Sequence, residues 1–205
     1  MSRIFSKVLT NRLKTILESE QPQEQAGFRS GFSTIDHLHT INQVIEKSNE
    51  YGKDHCMVFI DYTKAFDSVN HNYILRALQK QGISDTYLIL IASMYTDLRA
   101  RLVTDIKGEY FSIEKGVKQG DSLSPIIFNA TLEQIFRNLN WEGRGINVNG
   151  NFLSNLRFAD DIVLVSETVD GLQLMVEELG EAGKEAGLII NLNKTKTMID
   201  TPKKY

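Results

Sequence analysis

A chain of 205 residues, 41% hydrophobic and 24% charged, has the composition of a folded domain and excludes a long disordered tail. At this size folding buries roughly 70% of the unfolded surface, enough for one domain or two small lobes around a real core. A single cysteine (Cys56) excludes an internal disulfide, four histidines (His37, His39, His55, His71) show no zinc spacing, and no apolar run approaches the roughly 20 residues of a membrane span.

The formal net charge of −3 gives no basic surplus of the kind that phosphate binding favours. The lone cysteine makes a reducing, intracellular setting the expectation, with nucleus and cytoplasm equally open, and the N-terminal residues do not show the charged-then-apolar layout of a signal peptide.

Residues 3–18 place Phe5, Val8, Leu9, Leu13, Ile16 and Leu17 at helical spacing, and the polar stretch 20–25 ends the pattern. Gly27 and Gly31 bracket a connector, after which Ser33 or Thr34 caps a second helix carrying Ile35, Leu38, Ile41 and Ile45. Residues 56–60 form a brief unbroken apolar run between turn residues, which predicts a strand buried on both faces and ending on Asp61. Helices are expected over 71–81 and 85–97, parted by Gly82, with the apolar stretch 87–95 buried. A hairpin over 101–115 turns at Lys107-Gly108. The loop 116–125 then leads through Ser124-Pro125, a cap and a first-turn proline, into a helix with Phe128, Leu132, Ile135, Phe136 and Leu139 on one face. Asn149-Gly150 joins strands near 145–148 and 151–158, and a further strand over 162–166 leaves Asp160 and Asp161 at a hairpin tip. A helix over 170–186 stops at Gly187, and short strands at 188–191 and 197–199 close the chain. This order predicts an α+β fold: an antiparallel sheet of about four strands with helices on one face, preceded by a smaller helical lobe.

Adjacent aspartates in a turn are ordinarily structural. Here, however, Leu156-Arg157-Phe158-Ala159 and Ile162-Val163-Leu164-Val165 flank them, and charges at so apolar a tip cost desolvation unless cations offset it. Asp61 closes an equally apolar strand. If the two strands are neighbours, three carboxylates meet at one sheet edge. Oxygen ligands without His or Cys suit Mg²⁺, and two such ions about 4 Å apart serve nucleotidyl transfer. Asp67 reads as a turn or cap residue, and Asp121 as a loop residue.

Three segments carry a family resemblance: Phe59-Ile60-Asp61-Tyr62-Thr63-Lys64-Ala65-Phe66-Asp67-Ser68-Val69, Lys118-Gln119-Gly120-Asp121-Ser122-Leu123-Ser124-Pro125 and Phe158-Ala159-Asp160-Asp161. They resemble the three palm motifs of reverse transcriptases, closest to those of non-LTR (LINE-like) retrotransposons. Gln25-Ala26-Gly27-Phe28-Arg29-Ser30-Gly31 resembles the family's fingers motif, and the stretch from Gly187-Leu188 through Asn191 to Lys194-Thr195 resembles the motif after the catalytic hairpin.

The resemblance implies a polymerase palm-like sheet and an RNA-directed DNA polymerase taking an RNA template, a DNA primer and dNTPs, with two Mg²⁺ (or Mn²⁺) ions. It implies that Asp61 and Asp160 bind both metals, assisted by Asp161. Phe66 is implied as the bulky residue against the sugar 2′ side, where a phenyl ring collides with a ribose hydroxyl. Gln119 and Gly120 are implied to pack on the incoming nucleotide, Lys194 to stand near the pyrophosphate, and Arg29 to face template or triphosphate.

Residues 1–205 show no match to the family's first fingers motif or to its primer-gripping motif, and a thumb is not expected within them. Residues 1–54 are therefore expected to form partial fingers and 55–205 a palm with fingers-side insertions. The resemblance implies that thumb and fingers supply much of the nucleic-acid contact, so a palm-centred stretch is expected to carry a more acidic balance. Two other readings stay open: an inactive transposon remnant acting as an RNA- or protein-binding module, and a two-metal phosphohydrolase.

Overall fold

The computed structural model describes residues 2–105 and 107–200. Helix α1 (Ser2–Ser19) buries Leu9, Leu13 and Leu17, a stripe four residues apart. Helix α2 (Thr34–Glu50) starts at a capping box, in which the Ile35 N–H donates to Ser33 Oγ at 3.1 Å and the Ser33 N–H donates to Asp36 Oδ2 at 3.0 Å. There follow β1 (His55–Ile60), α3 (Ala65–Ser68), α4 (His71–Lys80), α5 (Asp85–Tyr95), β2 (Arg99–Val103) and β3 (Lys107–Ser112). The chain continues through α6 (Ser124–Arg137), β4 (Ile146–Val148), β5 (Asn151–Leu153), β6 (Asn155–Phe158), β7 (Asp161–Ser166), α7 (Val169–Glu185) and β8 (Lys196–Asp200).

Four of these strands make one antiparallel sheet in the order β6-β7-β1-β8. Strand alternation sends Cys56, Val58, Ile60, Ile162 and Leu164 to the main core, which they share with α1, α4, α6 and α7. Met57, Val163, Val165 and Met198 face the other way, onto Ile41, Val44 and Ile45 of α2 and Ile146 and Leu153 of the β4–β5 hairpin. That second face is thus closed at the His55 end and opens toward Asp61, where Phe59 is 38% exposed.

Helix α6 lies among α1, α4 and α7 and is buried on nearly every side, not on one face alone. Its polar residues must therefore find partners inside, at a cost of about 1–3 kcal/mol for any left without one. Thr131 Oγ1 donates to the Ile127 carbonyl at 2.8 Å, and Gln81 Nε2 reaches in to the Ala130 carbonyl at 2.6 Å.

Several sequence expectations shift. Helix α5 buries only Ile91 completely, and Ile89 is exposed, because α4 covers one side of it. In the β2–β3 hairpin Lys107 already pairs with Val103, and the register shifts between that pair and the pairing of Arg101 with Tyr110, where the guanidinium lies 5.0 Å over the ring. Ile106, expected in this hairpin, lies outside the described residues. Ser124 is the first residue of α6 and not its cap, since its Oγ donates to the Lys118 carbonyl at 2.6 Å. The strand expected over 151–158 divides at Ser154, β5 pairing with β4 apart from the main sheet while β6 pairs with β7. The strand expected at 188–191 is a single bridge between Tyr62 and Ile190. Among the described residues no helix is long and apolar enough to cross a membrane.

Candidate active site

Asp61 follows β1 directly, and the β1–β7 register, which ends at Ile60 opposite Ile162, places Asp61 opposite Asp161 when continued by one residue. Its backbone is held from the far side of the chain: the Asn191 N–H donates to the Asp61 carbonyl at 2.8 Å, and the Thr63 N–H to the Ile189 carbonyl at 2.8 Å. The same segment then turns, with the Thr195 N–H and Oγ1 both donating to the Asn191 carbonyl at 2.9 Å, and presents Lys194. Lys194 Nζ stands 3.4 Å from Asp61 Oδ2. The other oxygen, Asp61 Oδ1, is buried and finds no partner among the described residues.

Strands β6 and β7 close on a two-residue tip, Ala159 and Asp160, between the paired Phe158 and Asp161. Burial first, then the charges of Asp160 and Asp61, push the Asp161 carboxyl above the ordinary aspartate range, while Lys194 pulls it back. Asp161 therefore lies near enough to both Asp160 and Asp61 at this sheet edge to feel their charge. They do not close a cage: among the described residues no three His, Cys, Asp or Glu side chains converge tightly enough to hold a metal ion among themselves.

Beneath this edge lies a polar layer that sequence reasoning did not single out. Arg157, only 3% exposed, bonds Glu133 Oε2 of α6 at 3.0 Å and lies 4.0 Å over the Phe136 ring. Burial lowers the Arg157 pKa and the Glu133 carboxylate opposes that shift. Tyr62, adjacent to Asp61, is buried, and burial lifts its phenol far above the usual range. Gln25 and Gly27 contact the tip itself, through Gln25 Oε1 accepting from the Ala159 N–H at 3.0 Å and through direct backbone packing. A signal for the ion pair was present, since Arg157 interrupts an apolar strand and Glu133 an apolar helix, and each needs a partner if buried. No sequence signal marked Gln25 beyond its place in the fingers motif.

Around the carboxylates, Phe66 lies at the start of α3 with its ring stacked on Phe128 at 4.4 Å and edge-on to Phe28 at 6.1 Å. Gln119 is exposed and donates from Nε2 to Asp67 Oδ1 at 2.9 Å, and Gly120 beside it takes a positive φ in open space. Asp121 is buried and structural: it accepts from Ser6 Oγ at 2.7 Å and from the Leu123 N–H at 2.9 Å ahead of α6. Arg29 Nη1 donates to the Pro22 and Gln25 carbonyls, and its guanidinium lies 4.1 Å over Phe32, so here it fastens the 22–25 turn.

A family model described as "Reverse transcriptase (RNA-dependent DNA polymerase)" matches residues 1–205. The chain belongs to the reverse transcriptase family. The domain is 30% identical over 203 residues to the Retrovirus-related Pol polyprotein from type-1 retrotransposable element R2 of Nasonia vitripennis, covering 98% of this chain and 19% of that protein. It is 31% identical over 198 residues to the corresponding protein of type-2 retrotransposable element R2DM of Drosophila melanogaster, covering 96% and 18%. This reverse transcriptase domain thus spans about a fifth of the length of these curated relatives, and their R2 origin bears out the non-LTR resemblance of its motifs. Among solved structures, apo telomerase from Candida tropicalis truncated from its C-terminal domain superposes with a TM-score of 0.70 at 15% identity, over 97% of this chain and 41% of that one. At that identity the likeness establishes the fold alone, the palm-like α+β fold that the motif resemblance implied.

Proposed function

We propose that this reverse transcriptase domain is an RNA-directed DNA polymerase that adds deoxynucleotides to a primer 3′-hydroxyl on an RNA template. The observation that carries the proposal is the meeting of Asp61 with the Asp160-Asp161 tip at one sheet edge, with Asp61 Oδ1 buried and unpartnered among the described residues. A buried carboxylate oxygen without a donor is stabilised by a cation.

Asp61, Asp160 and Asp161 fit two Mg²⁺ (or Mn²⁺) ions as an open oxygen site, in which water and substrate phosphates complete the shells. When bound, such a pair activates the 3′-hydroxyl and stabilises charge on the leaving pyrophosphate. The chain's own groups then position the reactants. Phe66 blocks the sugar 2′ side with a ring that its stacking on Phe128 keeps in place. Gln119 and Gly120 offer an exposed loop edge to the incoming nucleotide, the glycine permitting close backbone approach. Lys194, whose Nζ lies 3.4 Å from Asp61 Oδ2, is the candidate proton donor to the pyrophosphate, a role supported by its nearness to the carboxylate site.

Primer extension on an RNA template by the purified chain tests this. Asp160→Asn is expected to lower incorporation by about a thousandfold. Chelation of divalent ions should abolish incorporation, and added Mg²⁺ should restore it. Equal incorporation by wild type and Asp160→Asn would defeat the assignment; template binding with no incorporation by either would favour the binding-module reading.

A further inference from the structure

The tip that carries Asp160 is built on an unfavourable residue. Ala159 sits at φ +57°, a left-handed conformation that residues with a Cβ rarely adopt. Glycine or asparagine is the usual occupant of so tight a turn.

The explanation comes from more than a hundred residues away in the chain. Gln25 is fully buried, and its Oε1 accepts from the Ala159 N–H at 3.0 Å and from the Gly27 N–H at 2.9 Å. Its Nε2 donates to the Ala159 carbonyl at 3.4 Å. One side-chain amide therefore holds both backbone groups of the residue immediately before Asp160. Around it, the Ala26 N–H donates to the Arg157 carbonyl at 2.9 Å and the Arg157 N–H to the Glu24 carbonyl at 2.7 Å, so residues 24–26 run along β6 as a short parallel bridge. Asn129 Nδ2 of α6 anchors the Gly27 carbonyl at 2.7 Å, and a Cβ on Gly27 would stand 2.1 Å from the Ala159 nitrogen. The fingers-side segment thus grips the turn from one side and leaves Asp160 and Asp161 free on the other.

We infer that Gln25 is a positioning residue for the carboxylate site: its amide fixes Ala159 in the left-handed conformation and so aims Asp160 and Asp161 toward Asp61. For its catalytic readout this rests on the polymerase reading above. The Ala159 amide of the wild-type chain should exchange with deuterium as slowly as the amides of β6, about a hundredfold or more slower than an open turn. Gln25→Met keeps the side-chain length and removes all three bonds. Assayed well below its unfolding temperature, it should lose about tenfold to a hundredfold in kcat while the dNTP KM stays within about threefold of wild type. Mn²⁺ titrated without substrate should bind this variant several-fold more weakly, a readout that a purely packing role would not move.

A folded Gln25→Met protein with wild-type kcat and Mn²⁺ affinity would reduce Gln25 to core packing. If that variant does not fold, exchange decides: protection of the Ala159 amide supports the inference, and exchange at the open-turn rate overturns it. Absence of incorporation by the wild type would count against the polymerase reading alone, because exchange and Mn²⁺ binding still report on Gln25.

Discussion

Two hairpins in this domain close on two-residue turns, and they are held by opposite means. In the β4–β5 hairpin the turn residues are Asn149 at φ +53° and Gly150 at φ +89°, both suited by their own chemistry to positive φ, and the hairpin lies outside the main sheet. In the β6–β7 hairpin the turn begins with Ala159 at φ +57°, and Gln25, Gly27, Asn129 and the Arg157–Glu133 pair surround it. The first turn is written in adjacent residues. The second is imposed by tertiary contacts, and it is the one that bears the carboxylates. Local preference makes a hairpin at small cost, whereas aiming two charges at a third takes support from several elements.

That contrast is most severely broken at the support layer. Glu133→Ala would leave the Arg157 guanidinium buried without its carboxylate, and an expected loss of about 3–5 kcal/mol should appear in denaturant unfolding. A loss under about 1 kcal/mol would mean that the pair is solvated in practice and that the tip does not depend on it. Gly27→Ala comes next, since its new Cβ meets the Ala159 backbone at 2.1 Å and nothing flexible can yield. Overpacking of this kind is expected to cost about 3 kcal/mol and to displace the tip, so incorporation should fall even at temperatures where the variant is folded. Gly150→Ala is the matched change in the locally specified turn. Its Cβ meets open space, leaving only the positive φ to penalise, so about 1 kcal/mol of stability and no loss of incorporation are expected. If Gly150→Ala and Gly27→Ala had equal effects on primer extension, the distinction between the hairpins would have no functional content.

The same distinction explains what could be read from the chain alone. The β1 strand was legible because five apolar residues between turn signals admit few other structures, and the four-stranded antiparallel sheet followed from the order of such runs. That Asp61 would meet the Asp160-Asp161 tip if β1 and β7 were neighbours was legible because acids ending apolar strands need a compensating partner. Gln25 was not, because a buried glutamine that serves a backbone turn leaves no local trace; only the folded register brings it to Ala159. The part-exposed surface of α5 was misread because nine mostly apolar residues look the same whether a neighbouring element covers one side or both. The break at Ser154 escaped notice for a related reason, since β5 and β6 continue one strand-like pattern and differ only in which partner each pairs with.

Phe66 is held from two sides, flat on Phe128 and edge-on to Phe28. Under the proposed role, its discrimination between sugars is a fixed setting of the scaffold, applied alike to every incoming base and not readjusted with each nucleotide. Drift at positions 28 or 128 would then retune how often the wrong sugar is admitted, although neither residue need ever touch the nucleotide.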